Sequence, residues 1–298
     1  GNVLLSTANY LQGSVMGNIE AASKQFFSYD DWYSAGLEYG KKEVDFIKDM
    51  SEPIHKSLIG QMVDVYDALQ GEFTDKFGRK ISHGALKKTW STDSLYQMQH
   101  KGEHAIQVRT MIAYLKRIKV DHEGKKISLY DAYELGDNGI IQLKPGVKLE
   151  GSVSEDGLLS FDAMNVLHGI NKRMHGIYNT FDQSKAQQYA TARLMMMFRK
   201  FAVPGYKKRF KGIGIDQEIG AITEGTYRTF FRVATSDFGE MLKMWNNTSD
   251  LTPYEMQNIR RTTVDLAWIF STWMLTNAIR AIAESAPDLD ECSSGDEE

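Results

Sequence analysis

The chain is poor in the residues that build disulfide frameworks, thiolate metal sites and membrane spans. Only one of its 298 residues is cysteine, Cys292, so no disulfide can form within the chain and no thiolate metal site is available. Prolines number five, and no apolar run reaches the roughly 18 residues of an ordinary transmembrane helix. The first residues also lack the basic and apolar segments of a secretory signal peptide.

Neither sign of charge is present in large excess. A formal net charge of -4 gives the chain no overall attraction to nucleic acid or anionic lipid. Its hydrophobic fraction of 42% is ordinary for a globular protein and sufficient for a sizeable core. The acidic, Ser- and Gly-containing residues 286–298 are typical of a flexible tail or linker. Both ends resemble cuts through a longer chain, so we expect a longer protein around this sequence.

Helical spacing of apolar residues dominates the sequence. Residues 4–19 combine this spacing with many small side chains, which predicts a helix able to pack closely on its neighbours. Ser28 is expected to cap a second helix, and a long helix is predicted from about 93 to 119. Thr252 followed by Pro253 indicates the start of a last helix of about 32 residues, roughly 48 Å long.

Residues 117–149 do not show the helical spacing of apolar residues. Turn sequences, among them Asp137-Asn138-Gly139 and Pro145-Gly146, separate short runs of β-type residues. The predicted fold is therefore mainly α, a multi-helix assembly with a small two- or three-stranded β insertion near 117–149. The predicted parts are an N-terminal helical part (1–116), the β insertion (117–158), a C-terminal helical part (159–285) and the tail (286–298).

The sequence HKGEH at residues 100–104 matches H-x-x-E-H, the helix signature of one class of zinc peptidase. On a helix, His100 and His104 share a face and are candidate zinc ligands, with Glu103 as a base. A catalytic zinc needs a third protein ligand, which the sequence does not identify, and Gly102 weakens the helix by about 1 kcal/mol relative to alanine. We therefore favour polar helix-face contacts for these side chains and predict no metal.

A second pair of histidines, His168 and His175, lies two helical turns apart and faces the same way. We interpret both as core or surface histidines that are satisfied by hydrogen bonds.

The most basic segment interleaves cationic and aromatic side chains. A solvated helix end, a surface for an acidic protein partner, and a nucleic-acid or membrane contact all remain open for it. We select it as the candidate interaction patch. Its basic residues are Arg193, Arg199, Lys200, Lys207, Lys208, Arg209 and Lys211.

No complete catalytic motif is present. The chain lacks the phosphate-binding G-x-x-x-x-G-K-[ST] loop, a G-x-G-x-x-G after a strand, the G-x-S-x-G elbow and an Asp-x-Asp-x-Asp metal motif. We expect a non-enzymatic protein without a cofactor.

Several stretches occur in an order that resembles one known family. They are QHKGEHAIQVRTMIAYL, GKKISLYDAYEL, IQLKPGV, INKRMHGIYNTFDQSKAQQYATARLMMMFRKFAVPGYKKRF and EGTYRTFF. The chain resembles an internal segment of the very large virion proteins of crAss-like tailed bacteriophages. The resemblance implies a structural or cargo protein in the capsid or tail interior, delivered to the host and active in assembly or genome ejection. Its partners would be other virion proteins, the remainder of the same chain, or DNA.

Some of these giant virion proteins carry an RNA polymerase, so an accessory part of such a polymerase is one alternative function. The zinc hydrolase is a second alternative. A third is a membrane-active ejection segment formed by residues 2–27 as an amphipathic helix rich in small residues.

Overall fold

The computed structural model describes residues 3–49, 57–66, 92–137, 139–148, 151–175, 202–216, 220–246 and 248–285. Within these ranges the protein is mainly α with small antiparallel sheets, which confirms the predicted fold class. The helices of the N-terminal part are α1 (Val3–Ser23), α2 (Tyr29–Asp49), α3 (Leu58–Tyr66) and α4 (Thr92–Arg117).

The predicted Ser28 cap is confirmed. The backbone N–H of Asp31 donates to Ser28 Oγ at 3.3 Å, and the backbone N–H of Ser28 donates to Asp31 Oδ2 at 2.9 Å. This reciprocal pair satisfies two backbone N–H groups that the first turn of a helix leaves without partners, so α2 begins here.

Helix α1 packs closely on its neighbours, as its small residues predicted. A Cβ atom added at Gly17 would lie 2.0 Å from Trp32 Cζ2, so only glycine fits under this ring. The buried Trp32 stacks on Phe27, with 5.5 Å between the ring centroids. On α4, the Arg109 guanidinium lies 3.9 Å from the centroid of the Trp32 ring, and Arg109 Nε donates to the Trp32 carbonyl at 3.0 Å. Helices α1, α2 and α4 thus form one tightly packed unit.

The β insertion contains two small sheets. Strands β1 (Lys119–His122), β2 (Lys125–Ser128) and β5 (Val147–Lys148) form an antiparallel sheet in the order β2-β1-β5. Strands β3 (Tyr133–Leu135) and β4 (Ile141–Leu143) form the second.

Between β2 and β3 lies α5 (Leu129–Ala132), a single helical turn that we did not predict. Ser128 caps it by accepting the backbone N–H of Asp131 at 3.1 Å. The turn buries Leu129 and Tyr130 on the main core.

The main core joins the N-terminal helices, the β insertion and α6 (Phe161–His175). Two buried tyrosines connect these parts: the Tyr66 hydroxyl donates to the Tyr133 hydroxyl, which donates to the Gly157 carbonyl at 2.9 Å. Burial raises the pKa of Tyr133 to about 12, so both rings stay neutral in the physiological range. The largest fully buried side chains are Phe27, Trp32, Ile59, Met62, Tyr66, Ile106, Met111, Ile112, Leu115, Leu129 and Leu167.

The C-terminal part continues with α7 (Ala202–Phe210), a hairpin of β6 (Gly214–Asp216) and β7 (Ala221–Thr223), α8 (Thr226–Ser236), α9 (Phe238–Lys243), a 3-10 turn (Met244–Asn246) and α10 (Pro253–Ser285). We did not predict the β6–β7 hairpin. Helix α10 is 33 residues long and begins at Pro253, as predicted. The backbone N–H and the hydroxyl of Thr252 both donate to Glu255 Oε2, at 3.0 and 2.6 Å.

Candidate interaction surface

A buried carboxylate fixes α10 to the body of the protein. Glu20 is the single charged residue in α1 and is 1% exposed. Its Oε2 lies 2.8 Å from Arg261 Nη2 on α10, and its Oε1 lies 2.8 Å from Lys208 Nζ on α7. Arg173 Nη2 on α6 lies 3.9 Å from Oε1. These four residues, which we call the Glu20 cluster, tie three helices to α1.

Electrostatics within the Glu20 cluster favour the ionised forms of the pair at its centre. Burial alone would raise the pKa of Glu20, but Arg261, Lys208 and Arg173 outweigh it and hold this pKa well below the ordinary value. Burial lowers the pKa of Arg261 to about 10, against the opposing effect of Glu20. Both groups are therefore charged at neutral pH, and Arg261 donates further to Asn258 and Gln25 at 3.2 and 2.6 Å.

A second ion pair lies one helical turn further along α10. Arg209 Nε and Nη2 donate to Asp265 Oδ2 at 3.2 and 3.1 Å, and the Tyr227 hydroxyl donates to the same oxygen at 2.9 Å. Asp265 is the last buried residue of α10 among those the structure describes. The helix therefore leaves the body of the protein after this contact.

The structure divides the predicted basic patch. Lys208 and Arg209 turn inward, to Glu20 and Asp265, and hold helices together. Lys207 on α7 is exposed, and so is Lys211, the residue that follows the end of the helix. Arg193, Arg199 and Lys200 lie outside the described residues. Of the four basic residues that the structure describes, two are available to a partner and two are structural.

The side chains of two of the four candidate histidines, His104 and His168, are among those that the structure describes. His104 is 3% exposed within α4, while the side chains of His100 and Glu103 fall outside the described residues. His168 Nε2 donates to the Tyr66 carbonyl at 2.9 Å, so it is a satisfied histidine as we interpreted it. The side chain of His175 is not among those described. In the described ranges, no group of three or more His, Cys, Asp or Glu side chains could hold a metal ion.

Beyond Asp265, α10 presents large apolar side chains to solvent. Residues 266–284 are all exposed, and we call residues 266–285 the distal half of α10. Trp273 and Leu275 are each 61% exposed and Ile282 is 69% exposed. The exposed large apolar residues of the distal half are Leu266, Trp268, Ile269, Phe270, Trp273, Met274, Leu275, Ile279 and Ile282.

The rest of the C-terminal part is also rich in exposed apolar residues. Its own buried core contains only Val233, Met244 and Ile259 among the described residues. Exposed outside this core are Tyr206, Phe210, Ile213, Ile215, Ile222, Phe231, Phe238, Leu242 and Trp245. Large apolar side chains exposed in this number, where they adjoin one another, mark interaction sites.

Three polar side chains of the distal half bond to their own helix. The hydroxyl of Thr272 donates to the Trp268 carbonyl, and the hydroxyl of Thr276 donates to the Thr272 carbonyl at 2.8 Å. Asn277 Nδ2 donates to the Trp273 carbonyl at 2.8 Å. A partner can therefore cover the two threonines without leaving their hydroxyl donors unsatisfied, which would cost about 1–3 kcal/mol each.

Two of these features were absent from our sequence-based predictions, although each has a signal. Glu20 is the one charge in a 21-residue helix, which indicates a buried charge that needs a partner. The distal half of α10 is rich in large apolar residues, which indicates a surface that a partner covers.

Comparisons with protein-family models, curated proteins and solved structures each found no match to this chain. In the part of the chain that the structure describes, no helix combines the length and apolar character needed to cross a membrane.

Proposed function

We propose that this chain is a non-enzymatic structural or cargo segment of a phage virion protein, packaged in the particle and acting in assembly or genome ejection. The virion assignment rests on the resemblance of its ordered sequence stretches to virion proteins of crAss-like tailed phages. The assembly role rests on the structure.

The observation that carries the assembly role is the exposed distal half of α10. Twenty residues, roughly 30 Å of helix, extend beyond the last buried contact at Asp265. Trp residues such as the exposed Trp268 and Trp273 are enriched among the residues that supply most of the binding energy in protein interfaces. A solvated monomer gains nothing from this surface, whereas a subunit of a larger assembly buries it.

The anchoring of α10 supports the same role. Its first 13 residues hold Arg261 and Asp265, which bond to Glu20, Arg209 and Tyr227. Because these buried ion pairs hold the first 13 residues of α10 in place, the distal half extends from a fixed position on the protein. An interface on a rigid element loses less conformational entropy on binding than one on a loose segment.

Particle composition tests the proposal. Particles of the phage that encodes this chain are purified by density gradient and examined by quantitative mass spectrometry, before and after triggered DNA release. We expect peptides of this chain in intact particles at a constant ratio to the major capsid protein. A cargo role further predicts their loss from particles that have released DNA. Recovery from the infected-cell lysate but not from purified particles would overturn the proposal.

A pair of variants links particle incorporation to α10. Leu275→Lys with Ile282→Lys charges two exposed residues of the distal half, and we expect incorporation to fall roughly tenfold, equivalent to about 1.4 kcal/mol of interface energy. Phe161→Lys charges a more exposed residue at the start of α6 and serves as the control, with unchanged incorporation. Equal incorporation of both variants would remove α10 from the assembly surface.

A further inference from the structure

We propose that the distal half of α10 pairs antiparallel with the same helix of a second copy of this chain. This inference rests on the proposed function, in which the distal half is the assembly surface, and it names the partner. Three observations carry it: a continuous apolar seam, a polar opposite face near the helix end, and complementary charges at the two ends of the helix.

The seam follows coiled-coil spacing. Trp268, Thr272, Leu275, Ile279 and Ile282 are separated by four, three, four and three residues, and all are exposed. This is the alternation that keeps one stripe of a helix facing a partner helix over two heptads. The polar member, Thr272, donates its hydroxyl to the Trp268 carbonyl and so can offer its methyl group to the seam.

The opposite face becomes polar towards the end of the helix. It begins with Leu266, Phe270 and Trp273, the last two stacked with 5.9 Å between ring centroids. It continues with Asn277 and Arg280, and Glu284 follows one turn later. The end of α10 thus has one apolar stripe and one polar face, which fits pairing with a single helix. A lipid interior would surround both faces and leave Arg280 and Glu284 in hydrocarbon.

The charges at the two ends of the distal half are opposite. Residues 288–298, just beyond α10, hold six acidic residues and no Lys or Arg. At the base, where Arg209 bonds to Asp265, the exposed charged residues include Lys207 on α7, Lys211 just after it and Arg228 on α8. A parallel pair would gather twelve carboxylates at one end. An antiparallel pair places each acidic segment beside the basic base of the other copy, which charge complementarity favours.

The lengths match this arrangement. A pair centred between Leu275 and Ile279 sets Leu275 against Ile279 of the second copy, and Thr272 against Ile282 of that copy. In this register, Ser285, the last residue of α10, reaches the level of Ile269 of the other copy, so the two distal halves overlap over most of their length.

The molecular mass of the complete chain, measured by sedimentation, tests whether the partner is a second copy. We expect twice the chain mass at micromolar concentration. Leu275→Lys with Ile282→Lys should give the monomer, with an unchanged circular dichroism spectrum because both side chains are exposed in the monomer. The matched control, Phe238→Lys with Leu242→Lys, charges two exposed apolar residues of α9 and should remain a dimer. A wild-type monomer at about 100 µM, a concentration at which even weak specific interfaces are occupied, would overturn the inference.

Charge is tested in the same assay. Replacing the six acidic residues of 288–298 by Asn or Gln should weaken dimerisation roughly tenfold at low salt. The wild-type dimer should weaken with added NaCl, and the neutral-tail variant should respond less. An unchanged dissociation constant and an equal salt response would contradict antiparallel charge pairing.

Disulfide cross-linking tests the orientation in a Cys292→Ser background. In the antiparallel pair, Ala278 lies beside Ala278 of the second copy, whereas Ala283 lies beside Ile269 of that copy. Ala278→Cys should therefore form a cross-linked dimer on oxidation, and Ala283→Cys should not. Equal cross-linking at the two positions would contradict the antiparallel register and overturn the inference.

Vesicles of neutral and anionic lipid separate this inference from a membrane role. Co-sedimentation of the wild-type chain, abolished by the Leu275 and Ile282 substitutions, would assign the surface to lipid and overturn the second-copy partner. The particle measurement above remains independent of these results. A chain that enters particles but stays monomeric contradicts the inference alone, while a dimer that is absent from particles contradicts only the proposed function.

Discussion

Arg261 and Glu20 are 241 positions apart in the chain and meet in its interior, with Arg261 Nε donating to Glu20 Oε2 at 2.9 Å. Both side chains are almost fully buried, and each is the main compensation for the charge of the other. The contact joins the first and the last helices that the structure describes, so one carboxylate in α1 contributes directly to the position of α10.

Removing that carboxylate should have a large effect on stability. Glu20→Gln leaves the buried charge of Arg261 uncompensated and weakens the hold on Lys208 and Arg173, so we expect a loss of about 3 kcal/mol. Urea unfolding measures the change in the free energy of unfolding. The control, Glu38→Gln, breaks the solvent-exposed pair with Lys41, 3.5 Å apart, and should change stability by less than about 0.5 kcal/mol. Equal effects of the two substitutions would contradict the buried role of Glu20.

Acid should weaken the protein through the same residue. The folded state holds the pKa of Glu20 below the ordinary value of 4.5, so the unfolded state binds the proton more tightly. The stabilisation is complete above pH 4.5 and is lost progressively as the pH falls further. Urea unfolding between pH 7 and pH 3 should show a shallower pH dependence for Glu20→Gln than for wild type. Parallel curves would show that other carboxyl groups cause the acid sensitivity.

The close approach of α1 and α2 can be tested at one glycine. Gly17→Ala places a methyl group 2.0 Å from Trp32 Cζ2, so the ring or the helix must move, and we expect a loss of about 2–3 kcal/mol. Gly40→Ala on α2 meets no heavy atom within 4 Å and should stabilise the protein by about 0.5–1 kcal/mol through helix propensity. Thermal and urea unfolding of both variants provide the comparison, and a neutral Gly17→Ala would show that α1 is not packed against Trp32.

Local signals in the sequence predicted the helical character of the chain, the starts of two helices and the β insertion. The Thr252 and Pro253 start of α10 and the Ser28 cap of α2 involve contacts over three residues, so the sequence alone contains both partners. The single turn α5 and the β6–β7 hairpin escaped prediction because each is very short. Their signals extend over fewer residues than a periodicity needs.

The same local signals did not predict which distant residues meet in the folded protein. The sequence showed one basic segment formed by Lys207, Lys208, Arg209 and Lys211. In the structure, Lys208 and Arg209 face inward, whereas Lys207 and Lys211 are exposed. Spacing would have separated Lys207 and Lys211, four residues apart, from the other two. It would not have found Glu20, because Lys208 reaches that carboxylate only when α1 and α7 are packed together. The link between α1 and α10 is likewise non-local, since its two partners are 241 positions apart.

Because α1 is synthesised long before α10, the side of α1 that contacts α10 stays uncovered during synthesis. The contact of α1 with α4 can form once residue 117 has left the ribosome, but Arg261 follows 144 residues later. At about 5–20 residues per second, the side of α1 that carries Glu20 stays bare for roughly 7–30 s. The main core can mature in that interval, and α10 then closes the molecule. Its projecting end emerges after the helices of the main core, so association through this surface follows the folding of that core.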